Sequence, residues 1–156
     1  MNDINFFLEA VKSVEPDRVE TLLKLHPELV HGKDQRGFTP LIFATYFDKK
    51  EVVEILLKYH AEVDGTDAAG NTALIGVAFK GNTDIAILLI ENGAQVNAKN
   101  AQGVTPLIFA TMYNQVNMVA LLLKHDADTT VKDVDGKTAF DYAKEKGFEE
   151  ILELLA

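Results

Sequence analysis

The side chains able to do chemistry in this chain are few in kind. There are four histidines, His26, His31, His60 and His125, and no cysteine. Without Cys there is no disulfide framework, no thiolate zinc site and no sulfur nucleophile. A His metal site on a helix needs two rings on one face, as in His-Glu-x-x-His. No two of these histidines share a helical spacing and that motif is missing. Asp and Glu total 24, but Glu149, Glu150 and Glu153 read as a solvated helix face. Asp126 and Asp128 share a loop and have no third partner nearby in sequence. There are ten glycines, yet no Gly-x-x-x-x-Gly-Lys-Ser/Thr phosphate loop. No acid, base or nucleophile is set up for catalysis, so a non-enzymatic chain without cofactor or metal is expected.

The glycines have a different logic, which leads to the elements that position everything else. Gly37, Gly70, Gly103 and Gly136 follow one another at steps of 33 residues. Asp34, Asp67, Asn100 and Asp133 keep the same step. Thr39-Pro-Leu-Ile-Phe-Ala-Thr45 recurs letter for letter at 105–111. Looser copies start at Thr72 and Thr138. The spacing predicts one domain over 1–156, with a degenerate first copy at 1–33 and full copies at 34–66, 67–99 and 100–132. A shorter fifth copy follows at 133–156. The first copy lacks the polar turn and the last ends in an acidic helix, as capping units would.

Each copy reads as turn, helix, turn, helix. Asp34-Gln-Arg-Gly37 is a tight-turn pattern, with glycine at a positive φ. Thr39 suits a helix N-cap and Pro40 the first helical position. A short helix is expected over 40–47. A second is expected over 50–59, with Val52, Val53, Ile55, Leu56 and Leu57 as its apolar stripe. Gly81, Gly93 and Gly147 should end helices at the positive-φ position. One such helix pair cannot bury its apolar face; stacked pairs can.

These residues resemble the ankyrin repeat. The matching pattern is Asp34, Gly37, Thr39, Pro40, Leu41, Ala44, Val52, Val53, Leu56 and Leu57, with Gly93-Ala-Gln-Val-Asn97 later. The resemblance covers the whole chain. It departs at the His that usually follows Pro-Leu, here Ile42, Ile75, Ile108 and Asp141. That loss removes a polar link between loops, for which packing of the Ile side chains can substitute. His60 and Asp126 stand where a helix-ending Gly is usual. The resemblance implies an all-α solenoid with hairpin-like fingers and a concave groove. It also implies function by binding a protein.

Carried over position by position, the groove has two rows. The finger row is Gln35, Arg36, Phe38; Ala68, Ala69, Asn71; Ala101, Gln102, Val104; and Val134, Asp135, Lys137. The helix row is Ser13, Val14; Tyr46, Phe47; Phe79, Lys80; Met112, Tyr113; and Glu145, Lys146. Tyr46, Phe47, Phe79, Met112 and Tyr113 give the central copies a strip of the residue types that anchor interfaces, with Phe38 and Val104 at its finger edge. Two arrangements are open: the rings face the groove, or some fold back between neighbouring helices, Phe47 and Tyr113 first. Gly76 aligns with Phe43, Phe109 and Tyr142. It is either a complement to large neighbours or a notch for a partner side chain.

The formal charge is −9. The first two copies carry −2 each, the third −1, the fourth 0 and the last −4. Nucleic acid and anionic membrane, which reward a basic face, are disfavoured. A protein partner with an apolar centre and basic edges suits this distribution. No apolar run approaches the length of a membrane span, and the N-terminus lacks the basic start of a signal peptide. A cytoplasmic protein is expected, monomeric in preference to a homodimer built through the ring strip.

Overall fold

The computed structural model describes residues 3–13 and 15–156. Among these residues there are ten α-helices and no strand. They are α1 (Asp3–Ser13), α2 (Pro16–Leu25), α3 (Pro40–Tyr46), α4 (Lys50–Lys58), α5 (Ala73–Lys80), α6 (Thr83–Glu91), α7 (Pro106–Met112), α8 (Val116–Lys124), α9 (Ala139–Lys146) and α10 (Glu149–Leu155). A 3-10 turn at Pro27–His31 fills the loop after the first pair. The helix pairs fall in the expected copies. The first and second helices of the second copy stop one residue short of expectation, with Phe47 and Tyr59 as C-caps.

The odd-numbered helices form an inner row, α1 on α3, α3 on α5, α5 on α7 and α7 on α9. The even-numbered helices form a looser outer row. The core runs continuously between the rows. Leu41, Leu74, Ile75, Leu107 and Ile108 of the inner helices are fully or almost fully buried, as are Leu56, Leu89 and Leu122 of the outer ones. Ile42, Ile75 and Ile108 are all buried, so apolar packing has replaced the polar residue usual there.

The starts of the inner helices follow the sequence closely. The hydroxyls of Thr39, Thr72 and Thr105 accept from the amides of Ile42, Ile75 and Ile108 at 3.1–3.2 Å. Thr138 does the same with Asp141, whose carboxylate accepts the Thr138 amide at 2.9 Å, a closed capping box. The substitution that costs the last copy a conserved-type link thus gives it a better cap. The helix ends repeat as well. Asp48, Gly81, Asn114 and Gly147, one period apart, all have φ between 55° and 79°. His60, Gly93 and Asp126 form a second such series. Asp48 and Asn114 were not foreseen. Both are among the few non-glycine types that tolerate the left-handed region.

The fingers are joined by backbone bonds. The amides of Ala68, Ala101 and Val134 donate to the carbonyls of Arg36, Ala69 and Gln102 at 3.0–3.2 Å. Within each finger the turn residue holds the loop by the same device. One side-chain oxygen of Asp34, Asp67, Asn100 or Asp133 accepts from the amides two and four residues on, all at 2.9–3.0 Å. Asn71 and Asn100 add a side-chain bond of 2.9 Å between adjacent fingers. At the far end of the inner helices, Lys80 reaches back to the Tyr46 carbonyl and to Asp48 at 3.1 Å, and Asn82 also bonds Asp48. One copy later, Gln115 reaches back to the Phe79 carbonyl at 2.9 Å.

The last finger carries a titrating pair. The Tyr142 hydroxyl donates to Asp133. That bond, with burial and the charge of Asp133, pushes the Tyr142 pKa up to about 12. Burial acts to raise the Asp133 carboxyl, but the Tyr142 hydroxyl and the amides of Lys137 and Asp135 outweigh it and hold it below its usual value. Tyr142 is neutral when protonated, so its contribution to stability is intact below the ordinary pKa of about 10. It is lost as pH rises through about 12. Asp133 contributes in the opposite direction, losing its share as acid protonates it. Among the four tyrosines, Tyr142 should be the last to ionise when phenolate absorbance is followed to high pH. A Tyr142→Phe variant should lack that late phase; its persistence would assign it elsewhere.

Candidate functional site

The inner helices of the second, third and fourth copies and the fingers of the second and third line an open cavity of about 470 Å³. Its helix side is Ile42, Phe43, Thr45, Tyr46, Phe47, Thr72, Gly76, Phe79 and Phe109. Its finger side is Arg36, Phe38, Asp67 and Asn71. The cavity exists because of Gly76. A Cβ built at this position would meet nothing within 4 Å. Large neighbours have not closed in on the missing side chain, so the complementary-packing explanation of Gly76 fails on geometry. In the middle of a helix, Gly costs about 1 kcal/mol relative to Ala. The fold gains no contact in return.

The rings form two groups. Phe47 lies 4.8 Å from Phe43 and 5.1 Å from Tyr46, centroid to centroid. Phe79 lies 5.6 Å from Phe109 and sets its edge against Tyr113 at 4.5 Å. Tyr46 is 58% exposed and Tyr113 49%. Both sequence alternatives are therefore partly realised. Phe47 packs back, as expected of it. Tyr113 leans on Phe79 and Phe109 but keeps half its surface in solvent. Phe79 and Met112 are half-buried, Met112 against the core.

Val104 corrects an expectation. It is 8% exposed and belongs to the core. It does not line the cavity. Phe38, the equivalent residue of the second copy, does line it, half-buried under the Arg36 guanidinium at 4.6 Å. Of the remaining finger row, Gln35, Ala68, Ala69, Ala101, Gln102, Val134 and Asp135 are exposed, and Asn71 and Lys137 half-buried. Ser13, Glu145 and Lys146 are exposed, and Val14 lies outside the described residues.

The cations around the cavity are already engaged. Arg36 is paired with Asp34 at 2.7 Å. Burial would raise the Asp34 carboxyl, but Arg36 and two backbone amides hold it below its usual value. Lys80 pairs with Asp48 and lies 4.9 Å from the Tyr46 ring centre. Lys12 sits 5.1 Å from the Phe47 ring centre. Asp67 is less well served. Its outer oxygen has one long contact, 3.4 Å from the Asn71 amide nitrogen. Sequence reasoning passed over Asp67 because it matches the repeat pattern and reads as a turn residue. Its alignment with Asp133, and that of Gly76 with Tyr142, was the available signal.

A second depression, between α2 and α4, is lined by charged residues and closed by a Lys58–Glu20 pair at 2.9 Å. Among the described residues no group of three or more His, Asp or Glu could hold a metal ion. No helix among them is long and apolar enough to cross a membrane. Among curated proteins, none matches the chain. A family model described as ankyrin repeats (three copies) matches residues 7–100 and 78–156. With the 33-residue frame, stacked helix pairs and bonded fingers, that match places the chain in the ankyrin repeat family, whose repeats are generally protein-interaction modules.

Proposed function

We propose that this chain grips one protein partner in the groove between its fingers and inner helices, as an adaptor or inhibitor in the cytoplasm, without chemistry of its own. One observation carries the reading: an apolar, ring-lined cavity stands open beside Tyr46 in the middle of the stack. Interfaces concentrate their energy in buried aromatic anchors seated in such pockets. The acid-rich first and last copies flank this centre, so basic edges on the partner would speed encounter.

The test is capture from extracts of the source cell by wild type and by a Tyr46→Ser, Tyr113→Ser variant. Both rings are half exposed or more, so the variant should stay folded, losing about 0.5–1.5 kcal/mol per ring contact. Its partner should be lost. Equal capture by both proteins would sink the groove reading. The free protein should be a monomer by light scattering at high micromolar concentration; a dimer abolished by the same variant would replace partner capture with self-association.

A further inference from the structure

We infer that the cavity at Gly76 receives a tyrosine side chain of the protein partner, ring between Phe43, Phe79 and Phe109 and hydroxyl on Asp67. The inference rests on the groove reading above and names what the groove holds. The template lies in the same chain. In the last copy, Tyr142 stands nine residues after the turn carboxylate Asp133 and donates its hydroxyl to that residue's outer oxygen. Gly76 stands nine residues after Asp67 in the same frame. There the ring and the hydroxyl are both missing. What remains is an open volume and a carboxylate oxygen with one 3.4 Å contact.

The other copies need no such guest. Asp34 gives its outer oxygen to Arg36, and Phe43 occupies the ring position. In the fourth copy the turn residue is Asn100, whose amide donates to Asn71, and Phe109 occupies the ring position. Only the third copy combines an underused acceptor with an empty ring position. Asp67 asks for a hydrogen-bond donor, and the apolar walls around it disfavour burying a charged one. A phenol supplies a donor at the end of an apolar plate, and aromatic rings meet one another readily edge to face.

The probe is p-cresol, the tyrosine side chain on its own, with toluene as the analogue lacking the hydroxyl. On isotope-labelled protein, p-cresol should shift the amide signals of Gly76, Asp67 and Asn71, with millimolar affinity at least about five-fold tighter than toluene. Asp67→Asn should reduce that preference, because the outer carboxylate acceptor becomes a neutral NH2 group. It should also fold normally, because Asn100 holds the same turn with an asparagine oxygen. Gly76→Tyr should fill the site from within. It should exclude p-cresol and add a second late-ionising tyrosine, as at Tyr142.

Equal binding of p-cresol and toluene, shifts elsewhere, or an unchanged preference in Asp67→Asn would each overturn the assignment. So would a Gly76→Tyr ring that ionises with the exposed tyrosines. The partner separates this inference from its parent reading. Capture lost in the Tyr46, Tyr113 double variant but untouched by Asp67→Asn would leave the groove standing and overturn the tyrosine.

Discussion

Leu74→Ala is expected to lower stability by about 2–5 kcal/mol, the range for removing three heavy atoms from a packed core. Leu74 is fully buried in α5, the helix packed between α3 and α7 at the centre of the inner row. Neither side can collapse into the gap without dragging a neighbouring copy. An ordinary domain has about 5–15 kcal/mol in all. The loss also lands where it divides the molecule. Coupling in a repeat stack passes only between neighbours. A weakened third copy should therefore separate the unfolding of the first two from that of the last two. Urea titration followed by circular dichroism should show a lower midpoint and a broadened or split transition. A single sharp transition within about 1 kcal/mol of wild type would mean the centre of the stack is packed far less tightly than described.

Gly37→Val should be the second most damaging change, for a reason of backbone rather than core. Gly37 has φ +81°, a region closed to β-branched residues. A Cβ there would lie 2.6 Å from the amide nitrogen of Ala68, the donor that bonds the second finger to the third. Strain of about 1–3 kcal/mol is joined by loss of the bond. Gly136 separates the two terms. It has φ +76°, but a Cβ there meets nothing within 4 Å. Gly136→Val should carry the strain alone. Gly37→Val should cost about 1–2 kcal/mol more by thermal or urea unfolding. Equal costs would remove the finger ladder from the account of stability.

The fold was legible because each copy states the same instruction in local terms. Asp34 to Gly37, Thr39 with Pro40, and the stripe of Val52, Val53 and Leu56 each specify their own turn, cap or face. Periodicity then supplied the tertiary contacts, since the neighbour of each helix is another copy of itself. Asp48 and Asn114 escaped because any residue that tolerates positive φ serves at that corner, and their types carry no unique mark. The site was legible only in outline. The frame singled out Tyr46 and Phe79, which line the cavity, but whether a ring faces solvent or a neighbour depends on rotamers that spacing does not encode. Val104 was misplaced for that reason: it shares its turn bond with Phe38, yet it is buried in the core while Phe38 lines the cavity. Gly76 was visible as an irregularity, but only geometry separates an unfilled gap from a filled one.

The reach-back links at the ends of the inner helices differ in kind between the two joints. Between the second and third copies the link is ionic, Lys80 with Asp48, at the surface. Between the third and fourth it is the neutral amide of Gln115 on the Phe79 carbonyl. Salt weakens the first modestly, as it does any exposed ion pair, and leaves the second, which carries no net charge, alone. Rising ionic strength should therefore weaken a link at one joint and not at the other, by no more than the worth of an exposed ion pair, about 0–1 kcal/mol. The open cavity at Gly76 has Tyr46 and Phe47 in its wall, beside the joint that carries the ion pair.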